Sequence, residues 1–175
     1  VLEKKKEVVA HKANVTVSEL EKSDSFQRKG ISLKQRLIDA EPFGIISEFK
    51  RKSPSKGIIN DKLDVVETTK GYQQAGASGI SILTDTPFFG GTYEDLIRAR
   101  KELTCPVLRK DFIVDEYQVV ETKAMGADVM LLIAACLSKK EIVGLAKLAR
   151  QVGLEILLEI HSEEEYDEDL MDYID

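Results

Sequence analysis

Glu48 and Lys50 are opposite charges that stand two residues apart at the end of an apolar run. If residues 45–50 form a strand, side chains repeat every second position, so both charges point to the face that also carries Ile46. Opposite charges at the end of a buried strand are costly unless they pair or take part in chemistry. We therefore interpret this strand end as the mouth of an active site, with a surface salt bridge as the alternative.

A lysine and a glutamate also lie at the ends of two later apolar runs. Lys110 ends residues 106–110, with Asp111 next to it, and Glu159 lies near the end of residues 154–160. Burial lowers the pKa of a lysine and raises that of a glutamate, so each can exchange protons near neutral pH. Two amines and two carboxylates around an apolar cup fit acid catalysis, and Schiff-base chemistry at either lysine stays open.

The elements that position these residues form a repeat of strand, loop and helix that begins after Gly44. Its five apolar runs are residues 45–50, 79–84, 106–110, 128–133 and 154–160. Between them stand residues typical of helix N-caps, namely Asp64, Thr92, Asp115, Ser138 and Ser162, and glycines typical of helix ends, namely Gly76, Gly126 and Gly153. This alternation predicts parallel strands covered by helices on both faces.

Two α/β architectures have this order of elements, a doubly wound sheet and a β/α barrel. The turn after the first strand, residues 51–57, has neither a GxGxxG motif nor a P-loop, so the barrel is favoured. Catalytic groups of barrels lie at the carboxyl ends of the strands, and alternate strands supply each interior layer. In this sequence only the first, third and fifth strands end in ionisable residues. A single polar layer at the mouth of a barrel would produce this pattern.

Residues 1–43 precede the repeat and are predicted to be a helical arm. Helical patterns cover residues 1–12 and 32–40, and Pro42 and Gly44 end the segment. We therefore divide the chain into an arm, residues 1–43, and a partial β/α barrel, residues 44–175.

Composition narrows the class of ligand. The chain has a formal net charge of -6, which argues against nucleic acid or an anionic membrane as partner. Against this background a basic cluster stands out, namely Lys50, Arg51, Lys52 and Lys56. Such a cluster suits an anionic small molecule, and a solvated loop is the alternative that charge alone favours slightly.

Nothing in the sequence indicates a metal site or an oxidising compartment. The two cysteines, Cys105 and Cys136, have no CxxC spacing, and the two histidines, His11 and His161, lack companions at metal-ligand spacing. The sequence has no signal-peptide pattern and no run of eighteen apolar residues. We therefore expect a cytoplasmic protein with reduced thiols and without a bound metal.

These strand ends resemble those of the indole-3-glycerol phosphate synthase family. Residues 47–55 (SEFKRKSPS) are similar to its first-strand signature, and residues 108–113 (LRKDFI) to its third-strand motif. Further similarity lies in residues 81–84, 89–91, 127–133 and 158–161. The resemblance covers essentially the whole chain, including the arm.

The resemblance implies an enzyme of tryptophan biosynthesis that needs no cofactor. It implies conversion of 1-(2-carboxyphenylamino)-1-deoxyribulose 5-phosphate to indole-3-glycerol phosphate, with loss of carbon dioxide and water. Lys110 would be the general acid of ring closure, and Glu159 the acid or base of dehydration. Lys50 would bind anionic substrate groups, and Glu48 would position the reacting centre.

Four further residues match positions that contact the ligand in this family. Ser53 and Phe112 match ligand-binding positions, while Phe89 and Leu131 match the apolar wall around the aromatic ring. The implied partner is thus a small phosphorylated anthranilate-sugar substrate, with no nucleic acid and no membrane.

The length of the chain departs from the family pattern. A complete barrel has eight βα units and roughly 250 residues, whereas these 175 residues end just after the fifth strand and the helix expected to follow it. We expect a TIM (β/α)8-barrel type truncated after strand five, with negligible activity by itself and with sheet edges that can pair with another chain. Two alternatives stay open: another phosphosugar-handling barrel enzyme, such as an isomerase or a Schiff-base aldolase, and a non-catalytic half-barrel that assembles with a partner.

Overall fold

A computed structural model describes residues 1–175. Seven strands follow one another along the chain: β1 (Ile46–Phe49), β2 (Lys52–Ser53), β3 (Gly57–Ile58), β4 (Gly79–Leu83), β5 (Val107–Lys110), β6 (Val129–Ile133) and β7 (Glu155–Glu159). Five of them form one parallel sheet in the order β1-β4-β5-β6-β7. Spatial order equals chain order, as in a β/α barrel, whereas a doubly wound sheet reverses direction at a switch point. The predicted barrel-type fold is confirmed.

Eight α-helices surround this sheet or precede it. They are α1 (Leu2–Asn14), α2 (Val17–Leu20), α3 (Leu33–Ile38), α4 (Val65–Gln74), α5 (Thr86–Phe89), α6 (Tyr93–Glu102), α7 (Glu116–Ala124) and α8 (Lys139–Gln151). Helices α1 to α3 belong to residues 1–43, and α1 and α2 pack against α7. No helix is long and apolar enough to cross a lipid bilayer.

Local sequence signals account for most helix ends. The carboxylate of Asp64 accepts a hydrogen bond from the Glu67 amide at 3.0 Å and so caps α4. Thr92 with Asp95, and Ser138 with Glu141, form complete capping boxes at α6 and α8. The three glycines predicted to end helices have positive φ, namely Gly76 (96°), Gly126 (90°) and Gly153 (75°).

Two local predictions were wrong. The Ser162 hydroxyl makes no capping hydrogen bond, and the residues after β7 form the 3-10 turns Glu163–Glu165 and Glu168–Tyr173 instead of an α-helix. Three consecutive glutamates there crowd like charges into one turn. The loop predicted for residues 51–57 contains the antiparallel pair β2 and β3, because strands of two residues are too short to show alternation.

Apolar side chains on the two faces of the sheet pack against different partners. Outward-facing residues such as Ile82 and Met130 pack against α4, α6 and α8 in two clusters of eleven buried residues each. Inward-facing Leu108, Val129 and Leu131 pack against Leu33 of α3. Helix α3 therefore covers the amino-terminal end of the inner face and leaves the carboxyl ends of the strands open.

Two contacts hold α3 under the sheet. The Glu155 carboxylate, at the start of β7, accepts hydrogen bonds from the Leu33 and Lys34 amides at 2.8 and 3.1 Å. This places a negative charge at the amino end of α3, where the helix dipole favours it. Gly79 provides the space for Leu33, because a Cβ at this position would lie 2.4 Å from Leu33 Cδ1.

Candidate active site

The charged residues predicted from the sequence lie on the inner face at the carboxyl end of the sheet. Strand register places Glu48 beside Ser81, Leu83 beside Lys110, and Ile133 beside Glu159. Ionisable side chains therefore come from β1, β5 and β7, or directly follow them, while β4 and β6 contribute uncharged ones. Lys50 stands one residue beyond the end of β1.

The first pair of charges comes from the end of β1. Lys50 Nζ donates to Glu48 Oε1 at 2.7 Å, and the other carboxylate oxygen lies 3.4 Å from Ser81 Oγ. About a third of each charged side chain is exposed, with 36% for Lys50 and 32% for Glu48. The pair is thus fixed in position by β1 and β4 and remains accessible to a ligand. Sequence reasoning did not select Ser81, although it is the polar residue within an apolar run.

The second pair joins β5 to β7. Lys110 Nζ contacts Glu159 Oε2, and their side chains are 25% and 28% exposed. His161 Nε2 lies 3.1 Å from the other Glu159 oxygen. His161 follows Glu159 by two residues, the spacing that keeps side chains on one face of an extended chain, so the contact agrees with the two-residue period. No ion pair within 4 Å links the two pairs, so the site holds two separate lysine–glutamate pairs.

Aromatic side chains from the loops after β4 and β5 contact one another and form an aromatic wall. The Phe112 ring lies 6.4 Å from Phe89 and 6.2 Å from Phe88, the latter in an edge-to-face arrangement. Phe88, 47% exposed, is a wall residue that the sequence analysis missed; its place next to Phe89 was the available signal. Leu131 is only 1% exposed and belongs to the apolar interior below the charged pairs.

Two of the four residues of the basic cluster, Arg51 and Lys52, hold the loop after β1. Arg51 forms a bidentate ion pair with Asp95, at 2.5 and 2.8 Å. Lys52 Nζ donates to the Pro87 carbonyl at 2.7 Å. Ser53 Oγ accepts from the Lys56 amide at 3.2 Å within the β2–β3 turn, and it contacts neither charged pair. The ammonium of Lys56 has no ion-pair partner, which leaves it available to an anion.

Arg109, next to Lys110 but facing outward, is completely buried in a network of charges. Its guanidinium contacts Asp111 Oδ2 at 3.1 Å and Glu121 Oε2 at 2.8 Å, and it lies over the Tyr93 ring at 4.9 Å. Thr84 Oγ1 donates to the same Asp111 oxygen at 2.6 Å. Asp111, a neighbour of the candidate acid in sequence, therefore belongs to the support behind the strand rather than to the site.

Charge neighbours set the pKa values in this network. Burial raises the pKa of Asp111, but the charges of Arg109 and Lys4 outweigh burial and hold its pKa below the ordinary value. Burial lowers the pKa of Lys4, but Asp111, Glu7 and Asp85 outweigh burial and hold its pKa above the ordinary value. Asp111 and Lys4 are thus both charged near neutral pH. The sequence did not indicate any functional residue in the arm, so Lys4 was missed.

Metal ligands do not cluster in this structure. No three His, Cys, Asp or Glu side chains come close enough to hold an ion. Cys105 and Cys136 are both free thiols.

A parallel sheet in barrel order, with ionisable residues at the carboxyl ends of alternate strands, defines a β/α-barrel protein. The fold is similar to that of tryptophan synthase subunit alpha from Legionella pneumophila, with a TM-score of 0.52 and 16% identity over 81% of this chain and 62% of that one. The family model for indole-3-glycerol phosphate synthase matches residues 1–172, and the chain belongs to that family.

Curated relatives agree with this family. The chain is 44% identical to the indole-3-glycerol phosphate synthase of Bacteroides thetaiotaomicron over 94% of its own length and 63% of the relative. It is 41% identical to that of Leptospira interrogans over 91% of its length and 63% of the relative. The chain thus spans about 63% of the length of these curated relatives.

Proposed function

We propose that the whole protein catalyses the synthase reaction of its family, closing 1-(2-carboxyphenylamino)-1-deoxyribulose 5-phosphate to indole-3-glycerol phosphate in tryptophan biosynthesis. The observation that carries this proposal is the contact between Lys110 and Glu159 at the open end of the inner face. It brings a proton donor and a proton acceptor together at the end of β5, two residues before Phe112 of the aromatic wall. Such a pair suits a reaction that needs an acid in one step and a base in another.

Ring closure is assigned to Lys110. A carbon–carbon bond forms between the carboxyl-bearing ring carbon and the ketone carbon, and the ketone oxygen takes a proton from Lys110 Nζ. Carbon dioxide then leaves, and the electron pair of the broken bond restores the aromatic ring. The apolar wall favours this step because a desolvated carboxylate loses carbon dioxide more readily.

Dehydration is assigned to Glu159. The bond between the ring carbon and the new hydroxyl breaks as Glu159 delivers a proton to the oxygen, and water leaves. The neighbouring ring carbon then gives a proton back to the Glu159 carboxylate, and the electron pair of that carbon–hydrogen bond completes the indole. Glu159 contacts Lys110 through one oxygen and lies near His161 through the other, so protons can be exchanged on either side of its carboxylate. This assignment gives the two members of the pair separate steps.

The other residues are assigned to binding. Lys50 would attract the anionic groups of the substrate, while Glu48 fixes the Lys50 ammonium through their 2.7 Å hydrogen bond. Phe89 and Phe112 would hold the aromatic ring, with Leu131 as the apolar surface beneath. Ser53, in the turn that also carries Lys56, would reach the ligand from the β2–β3 hairpin.

A Schiff-base aldolase is the main alternative. That chemistry needs a neutral lysine as nucleophile, whereas both candidate lysines are held in ion pairs with carboxylates. Acid catalysis is therefore favoured. Borohydride reduction in the presence of substrate separates the two, because only an aldolase would leave a covalent adduct on Lys110 or Lys50.

Lys110→Ala in the whole protein tests the proposal. We expect the variant to lose formation of the indole product by a factor of about 10³ or more, while substrate binding changes little. Product is followed by its indole absorbance, and binding by calorimetry. Lys101→Ala, an exposed lysine of α6, is the control. Turnover that survives in Lys110→Ala would refute the assignment of the acid.

We also propose a cytoplasmic location for the protein. The two free thiols, in a chain whose family serves amino-acid biosynthesis, support it.

A further inference from the structure

We propose that Lys4 of α1 is a positioning residue of the candidate active site. Its ammonium lies behind the sheet, where it joins the loops that follow β4 and β5. These loops carry the aromatic wall on their other side. The kinetic part of this inference rests on the proposed function, while the positioning itself does not.

Lys4 is buried and bonded on three sides. It is 4% exposed, and its Nζ lies 3.0 Å from Asp85 Oδ2, 2.9 Å from Asp111 Oδ1 and 3.0 Å from Glu7 Oε2. Asp85 and Asp111 are themselves 1% and 3% exposed. Asp85 belongs to the loop after β4, and Asp111 to the loop after β5. One cation from the arm thus bridges two carboxylates from different loops.

Each carboxylate holds an aromatic residue of the wall through the backbone. Asp85 Oδ1 accepts a hydrogen bond from the Phe88 amide at 2.8 Å and so caps α5. Asp111 Oδ1 accepts from the Phe112 amide, also at 2.8 Å. Lys4 therefore contacts both carboxylates that accept hydrogen bonds from the backbone amides of Phe88 and Phe112. The edge-to-face contact of Phe88 with Phe112 joins the same loops on their front side.

The two carboxylates depend on Lys4 to different degrees. Asp111 also has Arg109 as a cationic partner at 3.1 Å. Asp85 has no other cation within 4 Å. Without the Lys4 charge, Asp85 is a buried anion without a cation, and a buried anion without a partner draws in water or moves toward solvent. The α5 loop, with Phe88 and Phe89, moves with it.

The position of Lys4 follows from the packing of α1. Val8, one turn further on, is buried on the same side of the helix, whereas Lys5 and Lys6 are exposed. Lys6 pairs only with Glu3, and both side chains are largely exposed. Lys6→Met is therefore a control matched to Lys4→Met in residue type, helix and substitution.

Hydrogen exchange in the whole protein tests the positioning directly. In Lys4→Met we expect faster exchange of residues 84–90 and 111–114, which contain the Phe88 and Phe112 amides, and unchanged exchange of residues 139–151 in α8. Lys6→Met should leave all three segments as in the wild type. Lys4→Arg, which keeps the charge, should restore protection to both loops.

Kinetics test the consequence for the site. We expect kcat of Lys4→Met to fall about tenfold, with KM changed by less than about threefold, because a displaced wall misaligns the ring against Lys110. Lys4→Arg should recover most of the lost kcat. A wild-type protein without synthase activity would refute the proposed function, while the exchange data would still decide whether Lys4 positions the loops.

Several results would overturn the inference. One is a lower melting temperature of Lys4→Met with wild-type exchange in both loops; another is faster exchange spread equally over α8. If Lys4→Met does not fold, Asp85→Asn replaces it, because an asparagine retains the cap of α5 and loses only the ion pair. Faster exchange of residues 84–90 in Asp85→Asn supports the inference, and unchanged exchange there overturns it.

Discussion

Lys110 and Glu159 come from strands that are not neighbours in the sheet, and yet their charged groups meet. Strand β6 lies between β5 and β7 and contributes Leu131 and Ile133 to the inner face. Because neither apolar side chain competes for the lysine, the ammonium and the carboxylate bridge across β6. The pair therefore depends on the register of three strands. It places the proposed acid, Lys110, in contact with the proposed acid or base of dehydration, Glu159.

Glu159→Gln tests the proton-transfer role of this pair. A glutamine can still accept a hydrogen bond from Lys110, so the geometry should persist while proton exchange is lost. We expect kcat of the whole protein to fall about 10²-fold or more, with KM changed only a few-fold. The measurement is steady-state formation of the indole product. Glu163→Gln, an exposed glutamate of the next turn, should behave as the wild type, and a Glu159→Gln variant with more than about half of wild-type kcat would contradict the role.

We predict that the ionisation of Asp95 makes the free energy of unfolding depend on pH. Burial raises the pKa of Asp95, but Arg51 and Thr92 outweigh burial and hold the pKa below its ordinary value. The unfolded pKa is about 3.9, so the stabilising contribution of this carboxylate is complete above about pH 5 and disappears as the pH falls through the lower folded value. Asp95→Asn should therefore unfold more easily at pH 7, by about 2 kcal/mol, with a difference that shrinks from pH 5 to pH 3.

Urea unfolding at pH 7, 5, 4 and 3 measures this effect. Asp24→Asn, which removes an exposed carboxylate, is the control and should follow the wild type at each pH. A difference between Asp95→Asn and the wild type that stays constant down to pH 3 would show that the ion pair with Arg51 contributes no pH-dependent stability.

Gly91 and Gly144 predict opposite results for the same substitution. A Cβ on Gly91 would lie 2.0 Å from the Leu83 carbonyl oxygen, which is backbone and cannot turn aside. Gly91→Ala should therefore destabilise the protein by about 3 kcal/mol. Gly144 lies within α8 with no atom within 4 Å of the added methyl. Gly144→Ala should stabilise by about 0.5–1 kcal/mol, because alanine favours the helix.

Midpoints of urea unfolding compare the two variants directly. If the unfolding midpoints of both variants shifted equally in the same direction, the proposed difference between a crowded Gly91 and an open Gly144 would be contradicted. A Gly91→Ala variant as stable as the wild type would mean that the loop after β4 relaxes without cost.

Some features of this molecule could be predicted because they depend on short-range rules. The common face of Glu48 and Lys50 needs only the two-residue period of a strand. The caps of α4 and α8 need only a polar side chain within three residues of the amide that it accepts from. The parallel sheet follows from alternating strands and helices, and the turn after β1, which lacks a GxGxxG motif, favours the barrel order over a doubly wound one. In each case the physical cause lies within one element or between chain neighbours.

Other features depend on contacts between distant residues and could not be predicted in this way. Lys4, Lys5 and Lys6 are the same residue type in succession, and only the docking of α1 selects Lys4 for burial. Arg109 looks like a second basic residue beside Lys110, and its charge is balanced by Asp111 and by Glu121 of α7. These relationships require the position of one element relative to another.

Helix α3 has a consequence for how molecules move in and out of the site. With Leu33 packed against the inner residues of β5 and β6, α3 closes the amino-terminal end of the inner face. In the reaction proposed for the whole protein, the substrate would enter and the product would leave at the carboxyl ends of the strands. The product would then have to leave before the next substrate binds, and α3, which lies far from the proposed proton transfers, would impose this order.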